Sequence, residues 1–179
     1  MVYIVILIVI VILFFVFRPK HKKMGELGDH WTHYFSHLQF STEEFYALVE
    51  EKIKTQAMPG VKISRVNYAE TNILSNKREY LRIERKEDLF DICAAPFGTG
   101  FFVSYWLGKP THAIRDLALK VPFLSTALEG WQGSTYYVID TACMFRGSVI
   151  NCIKDAIEEI TTTKGIRGLS EGEQMAMNK

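Results

Sequence analysis

The pattern of apolar and polar positions divides the chain at once. Val2 to Phe17 contains only Val, Tyr, Ile, Leu and Phe. A hydrocarbon core takes about 20 apolar residues to cross, with a range of roughly 17–25. The run sits at the short end of that range, and the long side chains of Arg18, Lys20, Lys22 and Lys23 behind it extend its reach to the headgroups. The pattern predicts an N-terminal transmembrane helix over residues 1–17. A basic juxtamembrane linker and a short amphipathic helix follow over 18–40, a soluble domain over 41–165, and a C-terminal tail over 166–179.

After the linker the period changes. Asp29 is placed to cap a short helix reaching about Leu38, with Trp31, Tyr34, Phe35 and Leu38 on one face and His30, His33 and His37 on the adjacent one. Ser41 with Glu44 has the spacing of a capping box, and Phe40 with Phe45 that of a hydrophobic staple. Phe45, Leu48, Val49 and Ile53 give the next helix its apolar face, and Pro59-Gly60 closes it. Strands are predicted at Val61–Tyr68, Glu79–Arg85, Leu89–Ala94 and Phe101–Leu107. The inward set of the first shifts from Val61 and Ile63 to Val66 and Tyr68, which suggests a bulge near Arg65. Thr71–Asn76 reads as a turn and Pro96–Gly100 as a hairpin connection. Thr111–Leu119 reads as a helix. Ser134–Asp140 fits strand or helix. From about Thr141 the period is helical, and Gly165 is a fitting C-cap. The tail has Ser170 and Glu173 at capping-box spacing and is expected to fray. The class is α+β: an N-terminal transmembrane helix, then one domain with an antiparallel sheet of about four strands flanked by helices.

Charge gives orientation. No Lys or Arg precedes the apolar run, and four follow it directly. Basic flanks prefer the cytoplasmic side, so the expectation is a single-pass inner-membrane protein, N-terminus out and domain in the cytoplasm. A cleaved leader would carry a basic region before the run. Of 21 Lys and Arg, the four flanking ones set aside leave 17 against 20 acidic residues. A mildly acidic domain excludes nucleic acid as a partner. Arg18, Lys20, Lys22 and Lys23 instead suit contact with anionic lipid headgroups. Three cysteines, Cys93, Cys143 and Cys152, are odd in number and lack CxxC spacing, which points to neither a disulfide framework nor a zinc ribbon.

Candidate chemistry is sparse. His30, His33 and His37 fall in one narrow arc if helical, two easy ligands and a strained third for a metal that wants four. Cys93, with Asp91 on the same strand face and His112 beyond, is a candidate nucleophile set against the reading of a buried inert thiol. The glycine-rich turn Pro96-Phe97-Gly98-Thr99-Gly100 joins two strands and lacks the helix N-terminus of a phosphate loop. The aromatic strand says more: Phe101, Val103, Tyr105 and Leu107 point one way, Phe102 and Trp106 the other. A strand apolar on both faces has both faces covered. The cover for the second face is the C-terminal helix, a partner subunit, an apolar ligand or the membrane surface, with helices the first expectation; Phe97, Phe102 and Trp106 are the candidate ligand or partner surface.

The stretch Phe90-Asp91-Ile92-Cys93-Ala94-Ala95-Pro96-Phe97-Gly98-Thr99-Gly100-Phe101-Phe102 and the later Asp140-Thr141-Ala142-Cys143-Met144-Phe145 resemble a bacterial group of single-pass membrane-anchored proteins with no assigned activity. The resemblance spans most of residues 40–165. It implies a bacterial setting and a membrane-anchored domain, and carries no site residues. The resulting reading is a non-enzymatic, membrane-tethered cytoplasmic interaction or scaffold module. No cofactor is called for. The lipid bilayer and a membrane-associated protein or a second copy are its partners. The alternatives are a small apolar ligand or lipid-binding domain, and a cysteine- or metal-dependent enzyme.

Overall fold

The computed structural model describes residues 24–69, 77–110 and 135–178. Eight elements are found there: β1 (Met24–Phe35), α1 (Thr42–Thr55), β2 (Lys62–Ala69), β3 (Lys77–Arg85), β4 (Asp88–Phe97), β5 (Gly100–Pro110), α2 (Tyr136–Thr163) and α3 (Glu171–Ala176). The strands form one antiparallel sheet in the order β1-β5-β4-β3-β2. Helices α1 and α2 lie on one face, with the core between.

The α+β class stands, but two of its particulars are corrected. The sheet has five strands rather than four, because Met24–Phe35 is a strand and not the short amphipathic helix expected from Asp29 to Leu38. Trp31 and Phe35 are four apart, a spacing that satisfies the period of a helix and of a strand alike. Thr32 and Tyr34 between them favour a strand, and the register shifts at Met24/Glu26 and Leu27/His30 break the alternation in the part of β1 that precedes them. Second, no helix among the described residues is long and apolar enough to cross a membrane. The run Val2–Phe17, on which the transmembrane helix rests, lies outside them, as do Thr71–Asn76 and Thr111–Leu119.

The meander β2–β5 follows the expected order. Its register is continuous from Lys62↔Glu84 to Ala69↔Lys77, without the bulge expected near Arg65. The apolar set shifts for another reason: β2 is covered on both sides. Ile63 packs toward the helices, while Val66, 3% exposed, lies on the far face in line with Tyr80. Gly98 takes φ 58 in the β4–β5 turn. At Gly100 a Cβ would collide with the Phe35 carbonyl oxygen and come within 2.6 Å of the Tyr34 ring, so only glycine lets the end of β1 approach this closely.

Helix α1 begins as its cap spacing predicts, with the Ser41 hydroxyl accepting from the Glu44 N–H at 3.5 Å. Phe40 and Phe45 both meet Phe101, at 6.0 and 5.8 Å between ring centroids. Ser134–Asp140 resolves as helix from Tyr136 onward, and α2 packs against α1 with Lys52 bonded to Glu159 at 2.7 Å. The core joins Phe90 to Tyr105 and Phe145 through ring contacts of 5.7 and 5.8 Å. The tail is packed onto the domain as far as Met177. The Ser170–Glu173 capping box forms, Met177 is fully buried, and the Tyr105 hydroxyl donates to the Met177 carbonyl. Burial pushes the Tyr105 phenol up to about 12, so this donor keeps its proton.

Candidate functional site

Direct pairing across the ladders shows what shares the face opposite α1 and α2. One row runs His30, Trp106, Asp91, Arg82 and Ser64; another runs Tyr34, Phe102 and Ala95. Phe101, Val103 and Tyr105 go to the helix side, as the alternation in β5 requires. Phe102 and Trp106 are half-buried on the far face, and Phe97 is 69% exposed there at the end of β4. The structure thus brings Phe97 and Phe102 to the two sides of Tyr34, whose hydroxyl donates to the Phe97 carbonyl at 3.1 Å with the rings edge to face at 6.5 Å. Trp106 lies farther along the same strip, stacked on His30 at 4.8 Å.

Beside this strip is a buried ionic cluster that sequence patterning missed. Arg82 and Asp91, each side chain 2% exposed, face each other across β3 and β4. Arg82 donates through Nε to Asp91 Oδ1 and through Nη2 to Oδ2, both at 2.7 Å. The Tyr68 hydroxyl donates to Oδ2 at 2.7 Å and accepts from Arg82. Burial works to lower the Arg82 pKa, yet the hydrogen bonds and charge of Asp91 outweigh it and the net shift is upward. Burial, followed by Asp91, also raises Tyr68. The cluster is thus a charged pair with a neutral phenol.

Above it the sheet opens. The β3–β4 ladder ends at Leu81↔Ile92, although β3 begins at Lys77 and β4 continues to Phe97. Tyr46 of α1 fills the first lost rung: its hydroxyl donates to the Glu79 carbonyl at 2.9 Å and accepts from the Ala94 N–H at 3.1 Å. The Ala94 N–H therefore faces β3. Pro96, two residues on, faces the same way and has no N–H to give, so the ladder cannot resume. The gap is a cleft of about 530 Å³ lined by Tyr68, Lys77, Arg78, Tyr80, Ala94 and Ala95, among others. Pro96, expected in the hairpin connection, lies inside β4 and still pairs with β5 at Phe101; a proline there marks the place where pairing with β3 stops.

Cys93, next to Ala94 in β4, is 1% exposed, with Arg78, Tyr80 and Ser104 as hydrogen-bond partners. Burial pushes its thiol up, opposite to what a nucleophile needs. Asp91 is committed to Arg82, and His112 lies outside the described residues. Cys152 is raised for the same reason, to about 11, while Cys143 is exposed. Treatment of the native protein with iodoacetamide at neutral pH is expected to modify Cys143 and spare Cys93 and Cys152. Peptide mass mapping checks this, and rapid modification of Cys93 would restore it as a nucleophile.

The histidines do not converge. His30 is on the far face against Trp106; His33 is on the helix face, 3.9 Å from Glu173, with burial lowering its pKa; His37 is in a turn at φ 62. A strand sends neighbours to opposite faces where a helix would have aligned them. No group of three or more metal-ligating residues that could hold a metal is found among the described residues. Arg18, Lys20, Lys22 and Lys23, the expected headgroup contacts, lie outside those residues.

No protein-family model matches the chain, and no curated protein matches it. Among solved structures, TTHA0849 from Thermus thermophilus aligns with 75% of this chain and 97% of its own at 15% identity, with a TM-score of 0.25. That likeness is too slight to bear on fold or function.

Proposed function

We propose that the chain is a non-enzymatic, membrane-associated interaction module of the bacterial cytoplasm that receives an extended segment of a protein partner at the open end of its sheet. The carrying observation is the parting of β3 and β4 beyond Leu81↔Ile92, with both strands running on. Backbone groups left without a ladder partner favour strand-like ligands, and neighbouring side chains then set specificity. Lys77 and Arg78 at the cleft favour an acidic segment, and Phe97 with Tyr34 offers an aromatic anchor beside it. Membrane association is inferred from the Val2–Phe17 run and its basic flank. The raised Cys93 pKa and the scattered histidines speak against the enzymatic alternatives.

A photoreactive phenylalanine analogue placed at Phe97 in the full-length protein, in native membranes, tests this. A discrete adduct with one protein is expected, with none from the same probe at Thr163 on the helix layer. Arg78→Glu should reduce the adduct about tenfold, equivalent to about 1.4 kcal/mol. Absence of an adduct at Phe97, or one indifferent to Arg78→Glu, would remove the cleft as the recognition site.

A further inference from the structure

Helix α2 is longer than the core beneath it. Its buried residues begin at Phe145, so Tyr136–Met144, about 13 Å of helix at 1.5 Å per residue, add no buried side chain to the core. Apart from Asp140 and Thr141 these turns carry exposed apolar side chains: Tyr136 is 87% exposed, Tyr137 73%, Val138 51%, Ile139 48% and Met144 72%. Nothing in helix propensity asks for a Tyr-Tyr-Val-Ile run at an exposed terminus. Beside it is a mainly apolar groove of about 290 Å³ formed by Met58, Pro59, Tyr137, Met144 and Phe145, with Arg85, Thr141 and Ser148 on its wall.

The location of this patch suggests its occupant. Met24 pairs with Pro110, and Asp29, five residues into β1, is ion-paired with Arg146 of α2. Phe145 meets Phe90 near the start of β4 edge to face, and Arg85 donates to the Pro59 carbonyl. The beginning of β1, the end of β5, the β3–β4 turn and the first turns of α2 therefore share one end of the domain. That is the end at which the chain arrives from Val2–Phe17 through Arg18, Lys20, Lys22 and Lys23. The end's own charges are slightly acidic, with Lys62, Arg85, Lys86 and Lys109 set against Glu26, Glu84, Glu87, Asp88 and Asp140. Preference for anionic lipid comes from the flank, and attachment from the exposed apolar side chains.

We propose that Tyr136–Met144 is a second membrane contact, seated in the headgroup region of the bilayer with which the N-terminal run associates. Tyrosines at a boundary between polar and apolar surroundings suit that depth. The contact would hold the domain upright, with the cleft between β3 and β4 at the opposite end, facing away from the lipid. It rests on the membrane association proposed above.

The test uses the full-length protein on phosphatidylcholine–phosphatidylglycerol vesicles, with an environment-sensitive fluorophore on the native exposed Cys143. At 100° per residue Cys143 shares a face with Tyr136 and Ile139. Vesicles are expected to blue-shift this label, and brominated lipid to quench it. A label at Thr163→Cys, in a Cys143→Ser background, sits at the other end of α2 and should remain unquenched. Tyr136→Asp with Ile139→Asp should abolish quenching at Cys143 while the protein still floats with the vesicles. Acidic residues suit a helix N-terminus, so unchanged circular dichroism is expected of this variant. Failure to float would defeat membrane association itself. Flotation with an unquenched Cys143, equal quenching at Thr163→Cys, or quenching that survives both aspartates would defeat the second contact alone. Cross-linking of Cys143 between copies, shielded from lipid, would assign the patch to self-association instead.

Discussion

Asp91→Ala is expected to lower the free energy of unfolding by about 3–5 kcal/mol, because it leaves the Arg82 guanidinium charged and buried without its carboxylate. Both side chains are 2% exposed, so water cannot easily replace the lost partner. For a chain of this size each kcal/mol moves the melting temperature by about 2–4 °C, giving a fall of roughly 6–20 °C. The cost belongs to breaking the pair rather than to lacking it. Arg82→Met combined with Asp91→Leu, similar in volume and without charge, is therefore expected to recover most of the loss. Thermal melts followed by circular dichroism in mild detergent compare the three proteins. A single mutant within about 1 kcal/mol of wild type would mean that the pair is solvated in solution.

This cluster also illustrates what the sequence conceals. Arg82 and Asp91 occupy strand positions where alternation expects a polar, solvated face, and nothing local distinguishes a buried Arg from an exposed one. Only the register Arg82↔Asp91 brings them together. The helices were legible because their signals are local: the Ser41 cap and the 3.6 period of α2 need no partner element. Strand β1 was not, since Trp31 and Phe35 fit either period and the register shifts lie N-terminal to them. The three histidines were lost with that mistake, as alternate faces replaced a single arc. The tail was misjudged for the opposite reason. A short, Met-rich segment looks free until Met177 is seen in the core, held by Tyr105. The far-face placement of Phe102 and Trp106 was legible from alternation, that of Phe97 was not, since Pro96–Gly100 reads as a turn and β4 runs on to Phe97, and the cleft depends on Tyr46, a residue of α1 whose hydroxyl reaches between two strands.

The two faces of β5 should separate cleanly under mutation. Phe101→Ala is expected to cost about 3–5 kcal/mol, since the ring is fully buried against Phe40 and Phe45 and its removal leaves a cavity that the helices can close only in part. Phe97→Ala, at a ring 69% exposed, should stay within about 0.5 kcal/mol of wild type. Phe102→Ala and Trp106→Ala should fall between. Phe102 is half-buried beside Tyr34, and Trp106 loses only its stacking on His30 and its cover over the Asp91 row. The order of the four melting temperatures reads out which face is core. If Phe102→Ala and Trp106→Ala melt as low as Phe101→Ala, the far face is a second core and Phe97 alone remains of the recognition surface. If they melt near Phe97→Ala and also diminish cross-linking from position 97, the aromatic strip is a binding surface that contributes little to folding, as interface anchors do.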